Sequence, residues 1–183
     1  MKHELQQGIG KLLVKEQRFD SLREIGLLLR YITRARLGEE RRKELIAWGA
    51  RGAQYSKGIE RVISQFIQVQ RNYDWNDPRY RRHCYHEVFS FKDLIILQLD
   101  AEWWNSLAFR MSQIYWENGH QVVYAVHGPD RGAGGLHIHF AVNTVSMIDG
   151  RKWHSSFRDR AEREKCFCRI AEAFFREETG VEN

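Results

Sequence analysis

Cysteine is scarce in this chain. Its 183 residues hold three, Cys84, Cys166 and Cys168. An odd count without zinc-ligand spacing argues against a disulfide scaffold and fits a reducing cytoplasm. Long apolar runs are missing as well. None approaches the roughly 18 residues that a membrane span needs, and the charged, polar start shows no signal-peptide pattern. Internal repeats, low-complexity tracts and an interdomain linker are likewise not visible. The expectation is one domain over residues 1–183, long enough to bury a full core without staples.

What is present is ordinary in amount and uneven in placement. The hydrophobic share is 43% and the formal net charge is +5. Such a balance makes nucleic acid a plausible partner, although many basic proteins bind none. The clustering says more. Arg30, Arg34, Arg36, Arg41, Arg42 and Lys43 lie close together, and Arg79, Arg81 and Arg82 form a second group.

Apolar spacing gives the elements. Residues 9–19 read as a first strand. Ser21-Leu-Arg-Glu24 is a capping box that starts a helix, and Leu22, Ile25, Leu29 and Ile32 form its buried stripe. Tyr31 falls half a turn away from Leu22, off that stripe and beside Arg30 and Arg34. Residues 33–56 read as basic and irregular. Ile59, Val62, Ile63, Phe66 and Ile67 mark a second helix over residues 58–69. Residues 83–91 alternate, with Tyr85, Phe89 and Phe91 on one face and Cys84, His86, Val88 and Ser90 on the other. Asp100 caps a long helix with Trp104, Leu107, Ala108, Met111 and Ile114 or Tyr115 inward, ended by Asn118-Gly119. A last helix runs from about Arg158 to Glu178, buried through Ala161, Cys168, Ala171 and Phe175. Irregular alternation of strands and helices around one hairpin predicts an α+β fold, a mainly antiparallel sheet with helices packed on it.

That hairpin carries the chemistry. In one strand Val122, Tyr124 and Val126 alternate with Gln121, Val123, Ala125 and His127. In the next, Leu136, Ile138, Phe140 and Val142 alternate with His137, His139, Ala141 and Asn143. Side chains change face at each residue, so one face is apolar and the other carries His127, His137, His139 and Asn143. The Gly-rich loop 128–135 closes the hairpin and brings three imidazoles to one patch. Three neutral imidazoles suit a divalent transition metal and leave positions open for water or substrate.

The order of motifs resembles a known family. His137-Ile138-His139 is the His-hydrophobic-His pattern of the HUH endonucleases. Tyr31-Ile32 in an early helix, Tyr85-His86-Glu87-Val88-Phe89-Ser90-Phe91, then His127, His137, His139 and Asn143, and finally Asp149-Gly150-Arg151-Lys152-Trp153-His154-Ser155 resemble the IncP-type relaxases of mobilizable and conjugative plasmids. The likeness covers roughly residues 20–160. It implies Tyr31 as the nucleophile, with His127, His137 and His139 holding a divalent cation: Mg²⁺, Mn²⁺ or Zn²⁺. Ser90, His86, Arg30, Arg34 and Asn143 would contact DNA. It further implies single-stranded DNA at a transfer origin as substrate, relaxosome accessory proteins as partners, a monomer, and the bacterial cytoplasm. The family usually has Asp two residues after the first metal His. Here Pro129 stands there with Asp130 next, which makes Asp130 a candidate acid or base. Glu87 and His86 are the other candidate bases, Glu87 on the opposite strand face from His86.

Three alternatives stay open on the residues alone. Rolling-circle initiators and single-tyrosine transposases place the catalytic Tyr after the HUH motif, yet no Tyr follows His139 in this chain. A catalytically silent DNA-binding relative would keep fold and charge without cleavage. A metal-dependent hydrolase unrelated to DNA leaves the early Tyr and the Arg clusters unexplained. Tyr55, in Gln54-Tyr55-Ser56, is the competing nucleophile.

Overall fold

The computed structural model describes residues 9–15, 19–35, 44–73, 81–91, 99–128 and 135–179. Five strands and four long helices follow in the order β1 (Gly10–Val14), α1 (Leu22–Ile32), β2 (Leu45–Arg51), α2 (Ile59–Asn72), β3 (Cys84–Phe91), α3 (Ala101–Glu117), β4 (His120–His127), β5 (His137–Ser146) and α4 (Phe157–Thr179). The strands form one sheet in the order β1-β3-β5-β4-β2, with every pairing antiparallel. The fold is thus the α+β class expected from the sequence. No helix among the described residues is long and apolar enough to cross a membrane.

The two sheet faces differ in bulk, and this positions the site. One face presents Tyr85, Phe89, Phe91, Tyr124, Ile138 and Phe140 to α3 and α4, which answer with Trp104, Leu107, Met111, Tyr115, Phe167 and Ala171. The other presents small residues, Ala50, Cys84, Val123, Ala125 and Ala141, beneath Ile25, Leu29 and Ile32 of α1 and Val62, Ile63 and Phe66 of α2. Small side chains let these helices settle close to the strands. The alternation read in the hairpin therefore survives, but its polar face is roofed over most of its length.

Local signals fixed the helix starts. Ser21 and Glu24 form the reciprocal capping box, and the Asp100 side chain accepts from Trp103 N. Several expectations are corrected. The first strand is confined to Gly10–Val14. The stretch read as irregular contains β2, paired to β4 along its length. Its half-buried apolar run Leu45-Ile46-Ala47-Trp48 marks an edge strand, but the neighbouring glycines and arginines mask it. In α4 the buried line is Arg163, Phe167, Ala171 and Phe174, while Ala161, Cys168 and Phe175 are only half-buried. Arg163 was missed because a charged side chain is rarely buried unless paired. Here it meets Glu87.

Candidate active site

The three histidines converge at the open end of the small-residue face. His127 on β4 stands opposite His137 on β5, and His139 lies one step inward on the same face. Their ring centroids are 5.3, 4.4 and 4.8 Å apart, and one nitrogen from each lies within 4.8 Å of the others.

Hydrogen bonds decide which nitrogens are free. His137 Nδ1 donates to the Gly135 carbonyl at 2.9 Å, which leaves Nε2 with a lone pair. His127 Nε2 donates to the Ile32 carbonyl at 2.6 Å, which leaves Nδ1 with one; Arg34 Nη2 donates to it at 3.2 Å, so a bound cation would displace that guanidinium. His139 Nδ1 meets His86 Nε2 at 2.8 Å, and its Nε2 is buried without a partner. A buried orphan nitrogen facing two other imidazole lone pairs is the donor set a divalent cation requires. The residues fit a metal.

Burial favours the neutral form of His127, His86 and His139. It pushes His127 down to about 4, aided by the nearby Arg34 cation, and His86 down to about 4, aided by Lys15 and the neighbouring imidazoles. His139 is lowered as well, first by burial and then by His127 and His86. The consequence for stability has a definite sign. In the unfolded chain these groups bind protons as pH falls below about 6.5, but the folded chain resists until far lower pH. The metal-free protein is therefore expected to keep full stability above about pH 6.5. It should lose stability steadily on acidification toward pH 4, as urea midpoints across that range would register.

The early helix delivers the tyrosine. Tyr31 lies in the last turn of α1, 49% exposed, with its ring edge-on to His139 at 6.3 Å and to His86 at 6.5 Å. The His127–Ile32 hydrogen bond ties that turn to the triad, so helix end and histidines are one assembly. The helix closes with bonds from Arg34 N to Tyr31 O at 3.2 Å and from Ala35 N to Arg30 O at 3.1 Å. This closure usually places glycine in the left-handed position. Arg34 occupies it instead, at φ 54°. The backbone strain is about 1 kcal/mol. It turns the guanidinium back over the Tyr31 ring, 5.0 Å from its centroid, and to 3.2 Å from His127 Nδ1. Glu44 pairs with the same guanidinium at 3.1 Å.

Tyr31, the Arg34 guanidinium and the three histidines thus lie together at one end of the sheet. Residues 31–174 match the family model described as relaxase, MobA/VirD2-like, nuclease domain. The chain belongs to this relaxase family. No curated protein matches it.

The other expected residues of this relaxase domain fall into three places. Ser90 is half-buried beside the triad, opposite His137 in register. His86 is buried against His139 rather than open to a strand of DNA. Arg30 is turned to α2, where its guanidinium takes both carboxylate oxygens of Glu60. Asn143, expected at the DNA, is fully buried. Its amide contacts Gln70, Gln121 and the Phe66 carbonyl, so it locks α2 to the sheet. Glu87 is removed from the candidate bases because it is buried on the far face against Arg163 and Tyr115. Tyr55 stands at the β2 edge with its ring against Trp48, not against the triad. Asp130 lies outside the described residues, as do Arg36, Arg41, Arg42, Lys43 and Arg79. Sequence reasoning missed Glu44 altogether, since a lone glutamate in a basic stretch carries no pattern.

Proposed function

We propose that this relaxase domain nicks and rejoins single-stranded DNA through a tyrosyl ester, at a transfer origin of a plasmid or other mobile element. The observation that carries the reading is the exposed Tyr31 ring standing against the convergent His127, His137 and His139. Tyr31 Oη attacks the scissile phosphorus, and the bond from phosphorus to the 3′ oxygen breaks. The phenol proton is lost, the 3′ oxygen takes one up, and the DNA remains joined through its 5′ phosphate to Tyr31. That ester conserves the phosphodiester bond energy, so a 3′-OH can attack it and restore the strand.

Each group has a share in this. His127 through Nδ1, and His137 and His139 through Nε2, would hold a divalent cation, with Mg²⁺ and Mn²⁺ the first choices. When bound, the cation supplies charge to the non-bridging phosphate oxygens. The Arg34 guanidinium, 5.0 Å from the Tyr31 ring centroid, would offset negative charge on the phosphate that Tyr31 attacks. Ser90 lies where it would position the phosphate near His137. Accessory relaxosome proteins would supply duplex opening and origin recognition.

The test uses single-stranded DNA from the region upstream of the protein's own gene, incubated with the protein and Mg²⁺ or Mn²⁺. A denaturant-resistant adduct is expected, abolished by EDTA. Peptide mapping should place a 5′-phosphorylated nucleotide on the Tyr31 peptide. His137→Ala is expected to lower adduct formation by about 100-fold or more, the loss typical when one electrostatic stabiliser of the transition state is removed. Tight DNA binding with no adduct under any metal would sink the catalytic reading in favour of a silent DNA-binding domain.

A further inference from the structure

The expected site residues leave His86 without a task. It is buried where DNA cannot reach it, and it is no part of the triad. We propose that His86 is a positioning residue. It accepts the proton on His139 Nδ1 and so presents the His139 Nε2 lone pair to the cation. The inference rests on the reading of His127, His137 and His139 as ligands.

The geometry is specific. On the shared face, His86 pairs across the β3–β5 ladder with Ala141, and His139 pairs with Val88. The two histidines are therefore diagonal neighbours, within reach of each other over the small Ala141 side chain. Their rings are nearly parallel, 26° apart with centroids at 5.1 Å, and the nitrogens meet at 2.8 Å. One proton must lie between those nitrogens. If His86 donated it, the single ring proton of neutral His139 would sit on Nε2, a buried N–H with no acceptor. If His139 donates it, Nε2 is a lone pair aimed at its two neighbours. The second arrangement is the one compatible with a ligand, and it requires an acceptor at His86 Nε2.

The His86 ring is held in place for this. Phe19 packs edge-on at 6.3 Å and Tyr31 edge-on at 6.5 Å. The same ring thus steadies both the ligand and the tyrosine. A neutral imidazole acceptor also differs from a carboxylate in a useful way. It fixes the ligand without adding negative charge, so the attraction of the bound cation for phosphate is undiminished.

The experiment titrates Mn²⁺ calorimetrically into wild type, His86→Leu and His86→Gln, without DNA. Leucine fills the space but cannot accept. Glutamine places an amide oxygen near the position of Nε2. His86→Leu is expected to weaken Mn²⁺ binding by 10- to 100-fold, the usual loss for an outer-shell partner of a ligating histidine. His86→Gln should restore most of it. Thermal midpoints of the metal-free variants report folding separately. Equal Mn²⁺ affinity for the folded Leu variant and wild type would overturn the inference and leave the triad intact. So would equal losses in Leu and Gln, because a purely structural role ignores the acceptor. Failure of wild type itself to bind Mn²⁺ would overturn the ligand reading, and this inference with it.

Discussion

Tyr31→Phe is expected to remove the covalent DNA adduct completely while leaving DNA affinity, Mn²⁺ affinity and folding close to wild type. The change deletes one oxygen from a ring that is 49% exposed, so little packing is lost. The ring would still lie against His86 and His139 and beneath Arg34. What disappears is the only tyrosine hydroxyl at the triad among the described residues. No bound water inherits its role in forming a protein–DNA ester, so the loss should be absolute rather than graded. Gel electrophoresis under denaturing conditions reads the adduct, and fluorescence anisotropy reads the affinity. An adduct that survives the change would move the nucleophile elsewhere. Tyr55 is the next candidate, although its ring sits 6.1 Å from Trp48 at the far sheet edge. Tyr55→Phe alone is expected to leave the adduct unchanged.

Glu87→Ala carries the largest expected cost in stability. Glu87 is fully buried, and its carboxylate takes Arg163 Nε at 3.0 Å and Nη2 at 2.5 Å. Tyr115 Oη donates to it at 2.6 Å, and Arg163 also reaches Ser155 Oγ at 2.6 Å. The network joins β3, α3 and α4. Burial and the neighbouring Glu87 charge raise the Tyr115 hydroxyl well above its usual range, so it stays a donor. Removing the carboxylate leaves a guanidinium in the core without its counter-charge. Breaking a buried pair from one side costs roughly 3–5 kcal/mol. For a chain of this size that is a fall of roughly 10 °C in Tm. Glu87→Leu combined with Arg163→Met should recover most of that loss, because a buried pair contributes little over apolar groups of similar volume. Thermal melts of the singles and the double settle it. A double variant no better than Glu87→Ala would show that Tyr115 and Ser155, left unpartnered, matter more than the charge. Because β3 also carries His86 and Ser90, the same single change is expected to weaken metal binding in parallel.

The chain by itself determined most of the elements and the meeting of the three histidines. Helical spacing over Leu22–Ile32 and alternation over His120–His127 and His137–Ser146 are local properties. Each residue's face follows from the repeat of its own segment. Since His127, His137 and His139 lie on neighbouring strands of one hairpin, their convergence needed no long-range information. The same holds for Tyr31, placed off the buried stripe of α1 by counting alone.

The tertiary structure alone decided how these parts meet. That α1 ends against β4, with the Ile32 carbonyl on His127, joins residues 95 apart in the chain. No periodicity encodes that distance. Arg34 reads as surface charge until the helix closure turns it inward. Glu44 and β2 were hidden because pairing with β4, rather than any local pattern, makes that segment a strand. Glu87 looked like a base until α4 supplied Arg163 to bury it. Asn143 looked like a DNA contact until α2 covered it. A sequence states which face a side chain takes, but what covers that face is settled only when the helices pack.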